Sequence, residues 1–172
     1  RLLFFADCTI NERPTAEQLA EIAINTAQVA RTFEVEPKVA MLSFSNFGSS
    51  RTEDTLRVQE AVRILRRKQN DGEIDFEFDG EMQADIAFDT ELRKEVFPFS
   101  TLTGEPNVLV FPDLESGNIA YKLLTKLAGA TAIGPLLVGM QHPVNVLQLG
   151  SDERTIESMA AITAVEAALG TY

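Results

Sequence analysis

"KVAMLSFSNFGSSR", residues 38–51, decides how the chain is to be read. Its first half, "KVAMLSFS" (38–45), is a run of apolar residues too short for a helix and flanked by polar ones, which reads as a buried strand. Its second half, "SNFGSSR" (45–51), is polar, contains a Gly and ends that strand. A helical pattern follows from about Glu53 to Lys68, with Leu56, Ala61, Ile64 and Leu65 inward and Arg57, Arg63, Arg66 and Arg67 distributed around it. One strand, a polar turn and a helix form the unit that recurs along the chain.

Upstream, "LLFFAD" (2–7) reads as another buried strand, the turn "CTINERP" follows, and Thr15 to Phe33 reads as a helix. Thr15 can cap it, and Ala16, Ala20, Ala23, Ala27 and Ala30 recur at three and four, with Leu19 and Ile22 widening the face. Downstream, "EIDFEFDG" (73–80) alternates Ile74, Phe76 and Phe78 with acids, the pattern of a strand covered on one face only. A short helix is expected over 89–97, a buried strand at "NVLVFPD" (107–113), and a helix at "ESGNIAYKLLTKLAGA" (115–130). The runs "AIGPLLVGM" (132–140) and "VNVLQL" (144–149) are expected to complete the sheet before a closing helix, 152–169. Apolar strands alternating with helices predict an α/β fold of three layers, a mostly parallel sheet with helices on both faces.

Bulk properties narrow the function. The 172 residues are 45% hydrophobic and 24% charged, as in a globular chain. No apolar run approaches the roughly 18–20 residues that span a bilayer. A net charge of −11 argues against broad nucleic-acid or anionic-membrane binding, though it leaves room for a phosphorylated small molecule. One cysteine, Cys8, precludes an internal disulfide and suits a reducing cytoplasm. The opening "RLLFFAD" is too short, and too soon followed by polar residues, for a signal peptide; a piece of a longer protein is the expectation.

In parallel sheets ligands gather at the carboxyl ends of the strands. That rim carries Asp7, Cys8 and Thr9; Ser43, Ser45 and Asn46; Asp79 and Gly80; and Pro112 and Asp113, with the helix start at Ser116, Gly117 and Asn118 nearby. In "SNFGSSR" a Gly among serines before a helix can offer backbone N–H groups and hydroxyls to a phosphate, with Arg51 as the adjacent cation; a plain helix-capping turn is the alternative. It lacks the Gly-Lys-Ser/Thr ending of a Walker loop and the three glycines of a dinucleotide fingerprint. Cys8 has no local His partner and reads as a small core residue. His142, before a Pro, reads as a loop residue. Asp75, Glu77 and Asp79 read as a solvated strand face, and no His or Cys cluster has metal-ligand spacing. "RRK" (66–68) ends a helix, where cations suit the dipole.

Several stretches together resemble the phosphate acetyltransferase (phosphotransacetylase) family: "ADCTIN" with "PTAEQLAEIA", "VAMLSFS", "FPDLESGNIAYK", "AIGPLLVGMQHPVN" and "AAITAVEAA", in order and over nearly the whole chain. The resemblance implies the second domain of that fold, residues 1–150, plus a closing helix, 151–172, that would pack on a first domain outside this chain. It also implies a Ser-Arg pair before the last helix and an Asp a little further on. Aligning Asn145, Leu147 and Gly150 with that stretch puts Gln148 at the Ser, Leu149 at the Arg and Thr155 at the Asp. A Leu cannot neutralise phosphate and a Thr cannot act as a carboxylate base. With "SNFGSSR", which looks like the version found in malic enzymes, these departures suggest a phosphotransacetylase-like regulatory domain of an NADP-dependent malic enzyme. The expectation is a cytoplasmic homo-oligomer that binds acetyl-CoA as an effector through Ser45, Asn46, Ser49, Ser50, Arg51 and Asn118. The NADP and Mg or Mn sites would lie on a malic-enzyme catalytic domain elsewhere in the same chain. The alternatives are an active phosphate acetyltransferase, making acetyl phosphate and coenzyme A from acetyl-CoA and phosphate, and a purely structural oligomerisation domain.

Overall fold

The computed structural model describes residues 1–170; the last two of the expected 151–172 segment lie outside the described residues. The elements are β1 (Phe4–Ala6), α1 (Ala16–Thr32), β2 (Lys38–Leu42), α2 (Glu53–Asn70), β3 (Glu77–Met82), α3 (Ala84–Phe88), α4 (Thr90–Val96), β4 (Val108–Val110), α5 (Leu114–Leu127) and α6 (Glu153–Leu169). The chain divides into two compact units, Arg1–Asn118 and Ile119 onward.

In the first unit the four strands are all parallel, in the order β1-β4-β2-β3. The register aligns Val39 with Val108 and Phe78, and Met41 with Val110. Their side chains therefore share one face. Against it lies the alanine face of α1, with Leu19, joined by Val58, Ala61 and Leu65 of α2. Each fully buried large apolar side chain of this layer contributes roughly 1.5–3 kcal/mol. Ala40, Leu42 and Leu109 alternate to the opposite face and are also buried, so the sheet is covered on both sides. The α/β class and the parallel sheet are as the alternation of strands and helices implies.

Both long helices start where their sequences supply a cap. Thr15 Oγ1 accepts from Gln18 N, and Gln18 Oε1 accepts from Thr15 N; Thr52 and Thr55 repeat the arrangement at α2. Strand β3 differs from expectation. It starts at Glu77, and Asp79 and Glu81 are buried within it. Asp79 is thus not on a solvated face: it accepts from Thr101 N at 2.7 Å and pairs with Arg66 at 3.6 Å. Between the two acids, Gly80 has φ +147°, and a Cβ there would lie 2.6 Å from the Met41 carbonyl oxygen. Only glycine fits that approach. On the following segment Arg93 is 2% exposed, and its guanidinium donates to the carbonyls of Ile86, Ala87, Leu102 and Gly104. Burial lowers its pKa, against the pull of Asp79.

The second unit holds the rest of α5, an irregular segment and α6. The strands expected at 132–140 and 144–149 do not join the sheet; one antiparallel bridge, Leu136 to Asn145, is all they form. Pro135 and Pro143 each lack an N–H for a ladder, and Gly134 and Gly139 have positive φ, so the runs cannot continue as strands. Instead the Asn145 side chain ties the segment to α6. Its Oδ1 accepts from Leu137 N, while its Nδ2 donates to Thr163 Oγ1 and to Glu166, the latter at 2.7 Å. No described helix is long and apolar enough to cross a membrane.

Candidate functional site

At the carboxyl ends of the strands the polar residues expected there are present, and most of them are engaged with one another. The Asp7 carboxylate accepts from Thr9 N, Ile10 N, Asn11 N and Asn11 Nδ2, closing the turn after β1. Asp113 accepts from Ser116 N and helps start α5. Asn118 donates its amide to the Cys8 carbonyl at 3.2 Å. Cys8 itself is half-buried, and burial together with the Asp7 charge pushes its thiol up to about 12, so it is no nucleophile near neutral pH. Gly80 falls inside β3, not at its end.

The loop 43–51 is folded around Glu81, which is not among the candidate site residues read from the sequence. Ser45 is fully buried and donates to Glu81 at 2.7 Å, and Gly48 N donates to the same carboxylate at 2.8 Å. Ser49 Oγ accepts from Asn46 N and touches Ser45 Oγ; Ser50 N donates to Ser45 Oγ. Asn46 Oδ1 accepts from Gln83 N. Of the groups expected to meet a ligand here, the hydroxyls of Ser45 and Ser49 are therefore spent inside the loop. The Asn46 amide N–H groups, the Ser50 hydroxyl and the Arg51 guanidinium are not, and Arg51 is exposed. The available signal for Glu81 was an acid directly after a Gly in "FDGEM", set between the buried Phe78 and Met82. Beside this segment a cavity of about 120 Å³ is lined by Arg93, Lys94, Phe97, Pro98, Ser100 and Leu102. It is small beside the ~300 Å³ or more that an organic cofactor needs.

In the second unit the turn 148–151 closes on itself: Ser151 donates to the Gln148 carbonyl from both N and Oγ. Gln148 is exposed and its Nε2 donates to the Tyr121 hydroxyl at 3.3 Å, while Leu149 is fully exposed. Asp152 caps α6, with its Oδ1 accepting from Thr155 N at 2.8 Å and Thr155 Oγ1 at 2.6 Å. Those two bonds hold the Asp152 carboxyl below the usual carboxylate range. The three positions to which the resemblance points thus carry one amide, one apolar side chain and one hydroxyl, with a carboxylate three residues before the last.

Comparison with known proteins fits this fold. The family model described as phosphate acetyl/butaryl transferase matches residues 1–164. The phosphate acetyltransferase of Clostridium acetobutylicum is 48% identical over 170 residues, 98% of this chain and 50% of that protein. The phosphate acetyltransferase of Bacillus subtilis is 44% identical over 163 residues, 95% of this chain and 49% of that one. The crystal structure of a phosphotransacetylase from Streptococcus pyogenes superposes with a TM-score of 0.88 at 46% identity, over 96% of this chain and 49% of that chain. The chain thus spans about half the length of the curated relatives it matches.

These relatives overturn the expectation of a regulatory malic-enzyme domain. That reading rested on the loop "SNFGSSR" and three point departures, which weigh little against 48% identity spread over 170 residues with proteins named for acetyl transfer to phosphate. The effector role and the malic-enzyme and oxidoreductase assignments go with it. A matching family model, near-complete coverage and a shared fold leave one conclusion: the chain belongs to the phosphate acetyl/butaryl transferase family.

Proposed function

We propose that the protein carrying this chain is a phosphate acetyltransferase, exchanging an acetyl group between coenzyme A and inorganic phosphate. The observation that carries this reading is the 48% identity, over 98% of the chain, with a protein of that name. In the reaction a phosphate oxygen attacks the thioester carbonyl carbon. A C–O bond forms, the C–S bond breaks, and the coenzyme A thiolate leaves and takes up a proton.

Three demands follow. The phosphate needs a cation, the carbonyl oxygen a donor as it gains charge, and the sulfur a group that manages its proton. In the second unit Gln148 Nε2 is a neutral donor suited to the carbonyl oxygen, and exposed Arg154 on the first turn of α6 is a cation suited to phosphate. Asp152 supplies the carboxylate that Thr155 does not. The first unit, taken by itself, offers Asn46, Ser50 and Arg51 as contacts for a phosphate-bearing ligand; acetyl-CoA in this reading is a substrate. Asn118 is left with the Cys8 carbonyl and a structural role. Residues 1–150 are assigned to the second domain of the phosphotransacetylase fold and residues 151–172 to a closing segment whose helix, α6, would pack on a first domain outside this chain. Homo-oligomerisation belongs to the same reading. Its support is the set of exposed apolar side chains Ile119, Leu123 and Leu127 on α5, and its check is sedimentation of the full-length protein.

The test is formation of acetyl phosphate by the full-length protein from acetyl-CoA and phosphate. Turnover of ~1 per second or more is the expected result. Arg154→Ala and Gln148→Ala should each lower kcat/KM by roughly tenfold, the loss of one charge-assisted contact. Coenzyme A binding without turnover would mean that Gln148, Leu149 and Thr155 mark lost chemistry, and would overturn the proposal.

A further inference from the structure

The loop that joins β2 to α2 is assembled around a buried anion of the protein's own. Glu81 is 1% exposed, and its Oε1 accepts from Ser45 Oγ at 2.7 Å, Gly48 N at 2.8 Å and Gln59 Nε2 at 3.2 Å. Its backbone carbonyl accepts from Phe47 N at 2.8 Å. The next turn adds two bonds, Gln83 N to Asn46 Oδ1 at 2.7 Å and Gln83 Nε2 to the Phe44 carbonyl at 2.5 Å. No Lys or Arg pairs with Glu81 among the described residues. A carboxylate taken out of water without a cation must be met by donors, and here three neutral ones converge on a single oxygen.

The backbone of the loop conforms to this anion. Phe47 has φ +47° and Gly48 φ +88°. A phenylalanine holds a left-handed conformation only where its surroundings impose it. Here the conformation turns the N–H of Phe47 to the Glu81 carbonyl and the N–H of Gly48 to the Glu81 carboxylate. The Phe47 ring then packs on Phe97 and Phe99, with centroids 4.9 and 5.1 Å away. The same bonds consume the Ser45 and Ser49 hydroxyls and leave the Asn46 amide donors, the Ser50 hydroxyl and Arg51 unengaged.

We infer that Glu81 is a positioning residue: its buried carboxylate fixes the loop 45–50 in the one shape that holds Asn46, Ser50 and Arg51 in place for a phosphate-bearing ligand. The inference rests on the reading of the protein as an acetyltransferase that binds coenzyme A. It predicts that the loop is ordered before ligand arrives, so that binding incurs no cost for folding it.

The experiment compares full-length wild type with Glu81→Gln, which keeps size and one accepting oxygen but removes the charge. Calorimetry with coenzyme A and amide hydrogen exchange are read on both. In the variant the Kd should rise roughly tenfold, exchange at Phe47, Gly48 and Ser50 should speed by about tenfold or more, and the unfolding midpoint should stay within about 5 °C. Unchanged exchange would overturn the inference, and so would faster exchange with unchanged Kd, which is a merely structural role. Should Glu81→Gln fail to fold, Ser45→Ala removes the 2.7 Å donor alone and is read the same way. Wild type that binds no coenzyme A would instead sink the functional reading beneath, a result distinct from either.

Discussion

Replacing Gly80 by Ala tests the frame on which Glu81 stands. Gly80 has φ +147°, and an added Cβ would lie 2.6 Å from the Met41 carbonyl oxygen and 2.8 Å from Met41 Cβ. Both distances fall well inside van der Waals contact, and Met41 sits in a central strand that cannot retreat without shearing β2 from β4. Two costs combine. The backbone conformation costs about 1–3 kcal/mol for a residue with a Cβ, and overpacking in a close-packed core about another 1–3 kcal/mol. Gly72→Ala is the matched control: φ is +75° and nothing lies within 4 Å, so only the backbone cost applies. Thermal unfolding of the full-length protein should therefore show a midpoint loss for Gly80→Ala that exceeds the control's by roughly 2–12 °C, at ~2–4 °C per kcal/mol. The variant should also share the faster exchange at Gly48, because β3 would carry Glu81 away from the loop. Equal losses for the two variants would refute the close approach of β3 to β2 and with it the stated reason for glycine at 80.

Three further outcomes are expected. Arg93→Lys should destabilise by more than about 3 kcal/mol, because a three-donor ammonium cannot serve the four carbonyls that the guanidinium serves; denaturant unfolding measures it. Cys8 should resist iodoacetamide at pH 8 in the folded protein and react readily in urea. Since burial and then Asp7 raise its pKa from 9.0 to about 12, its contribution to stability is complete below pH 9 and is lost as pH rises from 9 toward 12. Glu77 has burial raising its pKa, but bonds from Thr103 and the nearby Lys38 outweigh it and lower the value below the usual 4.5. Its stabilisation is therefore present above pH 4.5 and lost as the pH falls through its lowered value, so the cost of Glu77→Gln at pH 6 should shrink on acidification, in paired urea titrations.

The sequence was most legible where one residue type repeats. The alanines of α1 and the caps Thr15 and Thr52 set the helices, and the apolar runs at 2–7, 38–45 and 107–113 set three strands. It failed where apolar residues stay out of the sheet. Val138, Met140, Val144 and Val146 look like strand residues, yet each keeps more than a third of its surface exposed, and the prolines among them forbid a ladder. It failed also where acids go inside, because Asp79 and Glu81 find their partners through Arg66, Thr101, Ser45 and Gly48, which lie up to 36 positions away. Of the loop residues named from sequence, the position was legible but the internal spending of Ser45 and Ser49 was not. Pattern reading sees a hydroxyl and has no means of seeing the carboxylate that already holds it.

The strand order β1-β4-β2-β3 also bears on how the chain comes to be folded. β2, α2 and β3 are consecutive and can close on one another as soon as they exist. β1 cannot: its hydrogen-bonding partner is β4, which is made about a hundred residues later and must insert between β1 and β2. During synthesis the facing edges of β1 and β2 thus remain unpaired until residue 110 has emerged, an interval in which bare strand edges invite pairing with other chains. The long closure between Phe4 and Val108 makes this the slow step on contact-order grounds. Variants that weaken β4 should accordingly lower the yield of folded protein more than they lower the stability of what does fold.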